Sequence, residues 1–245
     1  MKKLKHYCVD KREGGSYFAD KYQQHFLVTY KAMKDQKFLK LSVPRQLKQK
    51  MVYLPKLNRP CKKTLIFDLD ETLIHTNNNH HQKCDVVIDM SFPDGQRSRA
   101  GVNIRPYVRE VLLELRKHCE IIVFTASHKD YMEPIINYID PYKEIFDFMF
   151  HRESCVQHYG LFLKDLRIFQ NRDLSQMVLI DNAAYSFSMQ VNNGIPCIPF
   201  FENKQDTELR DLLPFLQQLY DVPDVRPVLK NYFNFEKLSD AGSAF

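Results

Sequence analysis

The sequence predicts an α/β fold: a Rossmann-like, mostly parallel sheet with helices on both faces and a small β insertion after the first strand. From Lys62 onward, short apolar runs alternate with amphipathic segments, a pattern typical of parallel strands joined by helices. The chain has 245 residues, 44% of them hydrophobic, which is enough for one such domain with a core. Its sequence has no Gly-x-Gly-x-x-Gly motif after a predicted strand, so a dinucleotide-binding form of the fold is disfavoured.

The individual elements follow from local periodicity. Pro106 favours a helix start, and Asp206 is a candidate N-cap. The predicted strands are the short apolar runs 64–67, 121–124, 148–150, 177–180 and 195–198. The predicted helices, with apolar residues at helical spacing, are 107–117, 131–139 and 207–219.

Residues 77–104 interrupt this alternation and are too numerous for an ordinary connection between a strand and a helix. Residues 85–90 and 102–104 have strand-like composition, and Pro93-Asp94-Gly95 is typical of a turn. We therefore predict an inserted β-hairpin beside the edge of the sheet where a ligand would bind. It would form a lid or a surface that contacts the substrate.

Positive charge is concentrated near the N-terminal end. The whole chain carries a net charge of +5, yet residues 1–63 hold 17 basic and 4 acidic residues, against 18 and 26 in the remainder. We predict a basic extension over residues 1–58, with one or two helices between residues 18 and 39, followed by a folded domain over residues 59–245. An anionic partner for the extension is one interpretation, and a solvated tail is the other.

The six cysteines form no Cys-x-x-Cys pair, so reduced structural thiols are expected rather than a zinc site or a disulfide framework. No apolar run approaches the roughly 20 residues of a membrane span, and the first residues lack a signal-peptide core. An intracellular, soluble protein without membrane contact is expected, with the nucleus favoured over the cytoplasm because of the lysines. The oligomeric state is left open.

Two carboxylates follow the first predicted strand. Asp68 and Asp70 come directly after the apolar run 64–67. Buried carboxylates are costly unless they hold a cation or take part in chemistry, and open α/β folds place ligands at the carboxyl ends of strands. We predict a Mg²⁺-assisted phosphoryl-transfer site, with Asp68 as nucleophile and Asp70 as general acid and then base, rather than two surface aspartates opening a loop.

Four further residues are candidates for holding the phosphate. Thr125 and Ala126 follow a predicted strand, where a hydroxyl and free backbone N–H groups could cradle a phosphate or, alternatively, cap the next helix. Lys164 lies among apolar residues and could neutralise charge on a phosphoryl group or, alternatively, be an ordinary surface lysine. Arg152 could bind a substrate phosphate or form a structural ion pair with Glu153 or Asp165.

Asp181 and Asn182 follow the predicted strand 177–180. Mg²⁺ prefers oxygen ligands and usually takes one or two carboxylates, so this pair could complete a magnesium site opposite Asp68. Alternatively, Asp-Asn could simply form a turn, because both residue types are common in turns.

The order of these motifs resembles the four-motif series of the haloacid dehalogenase superfamily. The longer segments resemble the small C-terminal-domain phosphatases, which are serine/threonine phosphatases acting on the RNA polymerase II tail. The resemblance covers about residues 59–229. The matching segments are 67–75 (FDLDETLIH), 105–106 (RP), 123–127 (VFTAS), 152–155 (RESC), 164–166 (KDL), 181–182 (DN), 206–209 (DTEL) and 212–215 (LLPF).

The resemblance implies that residues 59–245 are a phosphatase catalytic domain with Mg²⁺ as cofactor and a phosphoserine or phosphothreonine protein as substrate. It implies that Asp68 forms an aspartyl-phosphate and that Asp70 is the acid–base group. These two residues, with Asp181 and Asn182, would surround the metal, and Asp70 would contribute its backbone carbonyl.

For the substrate, the resemblance implies that Thr125, Ala126 and Lys164 hold the phosphate and that Arg152 contacts the peptide. Family members have an apolar pocket in the insertion for a proline near the phosphoserine. Here residues 96–99 (QRSR) stand where apolar residues are usual, and this basic wall suits a more acidic phosphopeptide. Two alanines, residues 183–184, replace the usual Ser-Pro after Asp-Asn, which implies a less rigid loop.

Two alternative functions are kept. One is a small-molecule or lipid phosphatase on the same fold, although an insertion too short for a helical cap favours a macromolecular substrate. The other is a catalytically inactive binding module, as in the mitochondrial import-translocase subunit that resembles this domain. That alternative predicts loss of motif residues, and all of them are present in this sequence.

Overall fold

The computed structural model describes residues 44–77, 83–91, 95–158 and 160–233. The helices expected between residues 18 and 39 lie outside these residues, as does most of the turn expected at residues 93–95. In chain order the strands are β1 (Lys63–Phe67), β2 (Ile74–Asn77), β3 (Val86–Ser91), β4 (Arg97–Ile104), β5 (Cys119–Phe124), β6 (Phe148–Phe150), β7 (Val156–His158), β8 (Leu161–Leu163), β9 (Met177–Asp181) and β10 (Gly194–Pro196). The α-helices are α1 (Pro44–Lys50), α2 (Val108–Arg116), α3 (Lys129–Ile139), α4 (Glu208–Gln218) and α5 (Val225–Phe233).

The central sheet has five strands in the order β10-β9-β1-β5-β6, and every pairing is parallel. All five predicted strands are present, and the predicted α/β class is confirmed. The prediction for the last strand was wrong at its end, because β10 stops at Pro196 instead of continuing to residue 198. Strands β1, β5 and β9 are buried along their whole length, as expected when both faces of a parallel sheet are covered.

Alternate residues of β1 point into two different hydrophobic cores. Leu65 and Phe67 belong to a core built with helices α2 to α5, whereas Ile66 belongs to a core on the other face. That second face is covered by α1, the β7–β8 hairpin and segments of 3₁₀ helix. The 3₁₀ segments are Arg152–Ser154, Leu166–Ile168, Leu174–Gln176 and Ala184–Asn193.

The insertion after β1 is larger than the predicted hairpin. It is a three-stranded antiparallel sheet in the order β2-β4-β3, because residues 74–77 form an additional strand paired with β4. Ile88, Met90 and Ala100 on its inner face belong to the same core as Met132 and Ile135 of α3. The insertion is therefore fixed against the helix that follows β5.

All three predicted helix starts differ from the observed ones. Helices α2 and α4 begin one residue later than predicted, at Val108 and Glu208. Helix α3 begins two residues earlier than predicted, at Lys129. Thr207, and not Asp206, occupies the N-cap position of α4, although the Asp206 carboxylate still accepts the N–H of Glu208 (3.1 Å). Asp206 is also committed to a two-pronged ion pair with the buried Arg105 (2.8 and 3.0 Å).

The described end of the basic extension packs on the domain. Leu47 and Leu54 are buried in the second core. Val52 donates its N–H to the carbonyl of Ile168 (2.8 Å) and accepts the N–H of Gln170 (3.0 Å). Among the described residues, no helix combines the length and apolar character needed to cross a bilayer.

Candidate active site

The carboxyl ends of three neighbouring strands bring the predicted site residues to one edge of the sheet. Strands β9, β1 and β5 lie side by side and run parallel. Asp68 follows β1, Thr125 follows β5, and Asp181 ends β9. Lys164 follows β8 and is held by its backbone N–H, which donates to the carbonyl of Ser186 (2.8 Å).

The Lys164 ammonium joins two of the predicted carboxylates. It donates one hydrogen bond to Asp68 Oδ1 and another to Asp181 Oδ2, the second at 2.6 Å. Lys164 and Asp181 are each 1% exposed, and Asp68 is 5% exposed. The lysine is therefore no surface residue; its charge is desolvated between two acids.

Three carboxyl groups (Asp68, Asp70 and Asp181) lie near the single Lys164 ammonium, so potential negative charge outnumbers positive charge. Burial raises the pKa of Asp68 well above its usual value; Lys164 opposes this shift, while Asp181 and Asp70 add to it. For Lys164, burial acts to lower the pKa, but Asp181 and Asp68 outweigh it and raise the pKa above the ordinary lysine value. Both shifts favour bound protons, as expected where buried carboxylates outnumber cations. The site therefore favours an additional cation.

Thr72 connects the loops after β1 and β9. Its hydroxyl donates to Asp68 Oδ2 (3.0 Å) and accepts the backbone N–H of Asn182 (3.2 Å). The Asn182 side-chain oxygen lies 3.5 Å from the same hydroxyl. Asn182 and Asp68 thus share one hydrogen-bonding neighbour, Thr72.

Asp70 is surrounded by hydroxyl groups. Its Oδ2 accepts hydrogen bonds from Thr125 Oγ1 (3.1 Å) and Ser127 Oγ (2.7 Å), and its Oδ1 accepts one from the Tyr131 hydroxyl (2.6 Å). Ser127 and Tyr131 were not among the predicted site residues. One available signal was that Tyr131 lies in the first turn of the helix after a candidate phosphate-binding loop.

The loop 125–128 has few polar groups left for a ligand. The N–H of Thr125 donates to the carbonyl of Phe150 (2.9 Å), and the N–H of Ser127 donates to the Thr125 hydroxyl (2.9 Å). Within the described residues, the N–H of Ala126 has no protein acceptor. The alternative helix-capping role for these side chains is not observed, because α3 has His128 at its N-cap position and no side-chain cap.

Arg152 lies against this loop. Its Nε donates to the carbonyl of Ala126, its Nη1 lies 2.8 Å from His128 Nε2, and its guanidinium stacks 4.6 Å from the ring centre of Phe162. The alternative ion pair is not observed, because Glu153 contacts His151 and Asp165 is paired with Arg167. Arg152 thus lies beside the loop that carries Thr125 and Ala126.

The donor set fits Mg²⁺. Asp68 and Asp181 offer carboxylates, Asn182 offers an amide oxygen, and Mg²⁺ usually takes one or two protein carboxylates and completes its shell with water and phosphate. No group of three or more His, Cys, Asp or Glu side chains in the described part of the chain is arranged to hold a metal unaided.

Fold and site together define a haloacid dehalogenase-type domain, as the order of the sequence motifs predicted. Residues 63–226 match the family model described as NLI interacting factor-like phosphatase, and the chain belongs to this family.

Relatives named as small C-terminal-domain phosphatases confirm the predicted resemblance. CTD small phosphatase-like protein 2 of Dictyostelium discoideum is 38% identical over 184 residues, covering 75% of this chain and 32% of the relative. The human carboxy-terminal domain RNA polymerase II polypeptide A small phosphatase 1 is 37% identical over 166 residues. This alignment covers 68% of this chain and 62% of the human protein. The chain thus spans between about a third and three-fifths of the relatives it matches.

Among solved structures, fission yeast Fcp1, an RNA polymerase II CTD phosphatase, is similar with a TM-score of 0.49 and 19% identity. The alignment covers 80% of this chain and 58% of that chain.

Proposed function

We propose that this protein is a Mg²⁺-dependent protein serine/threonine phosphatase that forms an aspartyl-phosphate on Asp68. The main support is the buried Asp68 carboxylate, held by Lys164 and Thr72 at the edge of the sheet where Asp70 also lies. Membership of a phosphatase family supports the same chemistry. Mg²⁺, when bound, would neutralise the carboxylates and the phosphoryl oxygens.

In the first step, the Asp68 carboxylate attacks phosphorus and an O–P bond forms, while the bond from phosphorus to the serine oxygen breaks. Asp70 transfers its proton to that oxygen, so serine leaves as a neutral hydroxyl. Lys164 stabilises negative charge at the reaction centre. The N–H of Ala126 is available for a phosphoryl oxygen, and Thr125 orients Asp70.

In the second step, water attacks the phosphorus of the aspartyl-phosphate, and Asp70 removes a proton from that water. The bond between Asp68 and phosphorus breaks, releasing inorganic phosphate. Asp70 is left protonated for the next cycle, so the two steps together consume one water molecule.

A protein substrate is favoured over a metabolite or lipid because the insertion is a small sheet packed on α3 and does not form a large cap. Arg97 of β4 is exposed, and no partner for it is present among the described residues. Its neighbour Arg99 is paired with Asp89 (2.7 Å). We propose that the site prefers acidic phosphopeptides.

Helix α1 carries a second group of basic residues, beside Arg152. Lys50 donates to the carbonyl of Glu153, next to Arg152, and Arg45 and Lys48 are exposed on the same helix. Seven helical residues span about 10 Å, which matches roughly three residues of an extended peptide. The anionic partner of the basic extension would then be the acidic part of the substrate itself.

The nuclear location stays a prediction.

Replacing Asp68 tests the chemistry. Asp68→Asn should lower phosphate release by at least about a thousandfold because the nucleophile is lost. Acid quenching of the wild-type enzyme with a labelled substrate should yield phosphate on Asp68 by mass spectrometry. Asp221→Asn, which changes an exposed carboxylate, is the matched control. Wild-type turnover of an aryl phosphate by Asp68→Asn would contradict the proposal.

A comparison of phosphopeptides with a panel of phosphorylated metabolites and lipids tests the substrate class. Arg97→Gln should lower kcat/KM for acidic phosphopeptides severalfold and leave neutral ones nearly unchanged. Lys56→Gln removes the same charge near the amino ends of the strands, beside Lys63 and Thr64, and is the control. Equal losses in both variants would contradict a preference created at the site.

A further inference from the structure

The hydroxyl of Tyr131 binds the oxygen of Asp70 that the loop 125–128 leaves unbound. Thr125 and Ser127 both donate to Oδ2, whereas Tyr131 alone among the described residues donates to Oδ1 (2.6 Å). The two oxygens of this carboxyl group are therefore distinguished by their surroundings. Oδ2 faces the loop on which the phosphate is proposed to lie, and Oδ1 faces the helix.

A second hydrogen bond connects this tyrosine to the insertion. Thr76 Oγ1 lies within hydrogen-bond distance of the Tyr131 hydroxyl. A tyrosine hydroxyl has one proton, and Tyr131 donates it to Asp70 Oδ1, so Thr76 must donate to Tyr131. A directed chain of hydrogen bonds thus runs from β2 to Asp70, and each bond polarises the next.

Both ends of this chain are held in place. Thr76 lies in β2, whose backbone is paired with β4 opposite Val102. Tyr131 lies in the first turn of α3 and packs, half-buried, against the core shared by α3 and the insertion.

We infer that Tyr131 is a positioning residue for the acid–base group: it holds Oδ1 of Asp70 so that Oδ2 faces the serine oxygen that must be protonated. This inference rests on the proposed function of Asp70. Proton transfer in the transition state depends on placement within hydrogen-bond reach. Thr125 and Ser127 hold Oδ2, and Tyr131 adds the hydrogen bond that fixes the other oxygen of the same carboxyl group. The insertion sheet takes part through Thr76 in β2, so the element that would contact the peptide also supports the acid.

The leaving group provides the test. The serine alkoxide needs a proton to leave, whereas p-nitrophenolate leaves without one, and kcat/KM reports only the steps up to loss of the leaving group. Tyr131→Phe should therefore lower kcat/KM for a phosphoserine peptide about tenfold or more and change kcat/KM for p-nitrophenyl phosphate less than about twofold. Thr76→Val should show the same selectivity with a smaller loss.

Two controls accompany these variants. Tyr138→Phe removes a hydroxyl from an exposed position of the same helix and should leave both substrates unaffected. In an Asp70→Asn background, Tyr131→Phe should cause no additional loss, because the group that it positions is already absent. Thermal midpoints measured for every variant separate misfolding from a change in chemistry.

Equal losses for the two substrates, or no loss for either, would overturn the inference and leave the proposed function standing. If Tyr131→Phe fails to fold, Thr76→Val decides by the same criterion. The proposed function fails separately: it is contradicted if Asp68→Asn turns over both substrates at the wild-type rate, and the role given to Tyr131 is then overturned with it.

Discussion

Buried charged side chains lie at both ends of strand β1, but they are paired differently at the two ends. At the amino end, Glu120 is paired with Arg172 through two hydrogen bonds to its oxygens (2.8 and 2.6 Å) and also accepts the hydroxyl of Thr64 (2.7 Å). This pair sets one carboxylate against one guanidinium, and the buried Lys63 ammonium at the same end donates to Gln176 Oε1 (2.6 Å) and to two backbone carbonyls. At the carboxyl end, Lys164 is shared between Asp68 and Asp181, and Asp70 adds a third acid nearby.

This difference separates a structural ion pair from a site prepared for a ligand. A balanced, bidentate pair satisfies itself and needs nothing from solution. An unbalanced group retains a free-energy cost that protons or a cation can relieve. The surplus of carboxylates, more than burial itself, therefore marks the carboxyl end of β1 as the functional end.

Among the changes that compare the two ends of β1, the largest effect is expected from Lys164→Met, which removes the ammonium at the carboxyl end. Activity should fall at least about a hundredfold, because charge at the reaction centre loses its stabilising group. Without Mg²⁺, the free energy of unfolding should fall by roughly 3–5 kcal/mol, because Asp68 and Asp181 lose their shared partner. Urea unfolding with and without Mg²⁺ checks this. Activity within a few-fold of wild type would contradict the role given to Lys164.

Arg172→Met makes the matching change at the amino end. Glu120 would be left buried without its partner, so the free energy of unfolding should fall by roughly 3 kcal/mol. Turnover per folded molecule should stay close to wild type, because this end of the strand is not part of the site. Adding Glu120→Gln should restore part of the stability. A catalytic loss comparable to that of Lys164→Met would remove the distinction between the two ends.

Magnesium should stabilise only through the carboxyl end. At a concentration one hundred times its dissociation constant, Mg²⁺ should raise the free energy of unfolding of the wild type by about 2.7 kcal/mol. Asp181→Asn should lose most of this gain, and Arg172→Met should keep it. Thermal midpoints with MgCl₂ or EDTA measure both without reference to activity. An unchanged magnesium shift in Asp181→Asn would contradict the proposed ligand set.

The sequence predicted the carboxyl end well because the relevant pattern is local. An apolar run followed by a polar residue predicts a strand and its end, and parallel strands necessarily align those ends. The sequence therefore predicts that Asp68, Thr125 and Asp181 lie close together. Strand β2 was missed because Ile74-His75-Thr76-Asn77 alternates weakly and owes its conformation to pairing with β4.

The hydroxyl groups around Asp70 depend on tertiary structure and could not be predicted in the same way. Tyr131 reaches Asp70 only because the insertion packs on α3 and fixes the rotation of that helix. The pairing of Arg152 with a carbonyl and an aromatic ring instead of a neighbouring acid is similarly decided by loop geometry. Residue type and spacing indicate which groups carry chemistry, and packing decides how they are oriented.

The smallest expected effect is a pH dependence that only the carboxyl end should produce. Burial raises the pKa of Asp68 in the folded chain; Lys164 opposes the shift, and the other two aspartates add to it. At a pH below the usual aspartate value of about 3.9, folded and unfolded chains both hold this proton, and the contribution to stability is fully present. As the pH rises, the unfolded chain releases the proton first, and stability falls until the pH exceeds the raised pKa.

In EDTA, the free energy of unfolding of the wild type should therefore fall with rising pH relative to Asp68→Asn, by at most about 1.4 kcal/mol per pH unit. Taking the difference between the two proteins cancels the titration of groups that they share. Urea unfolding of both between pH 4 and pH 8 measures it. A difference that rises with pH would mean that Lys164 outweighs the burial of Asp68, and the carboxyl end of β1 would then be balanced by its own lysine, as Glu120 is by Arg172.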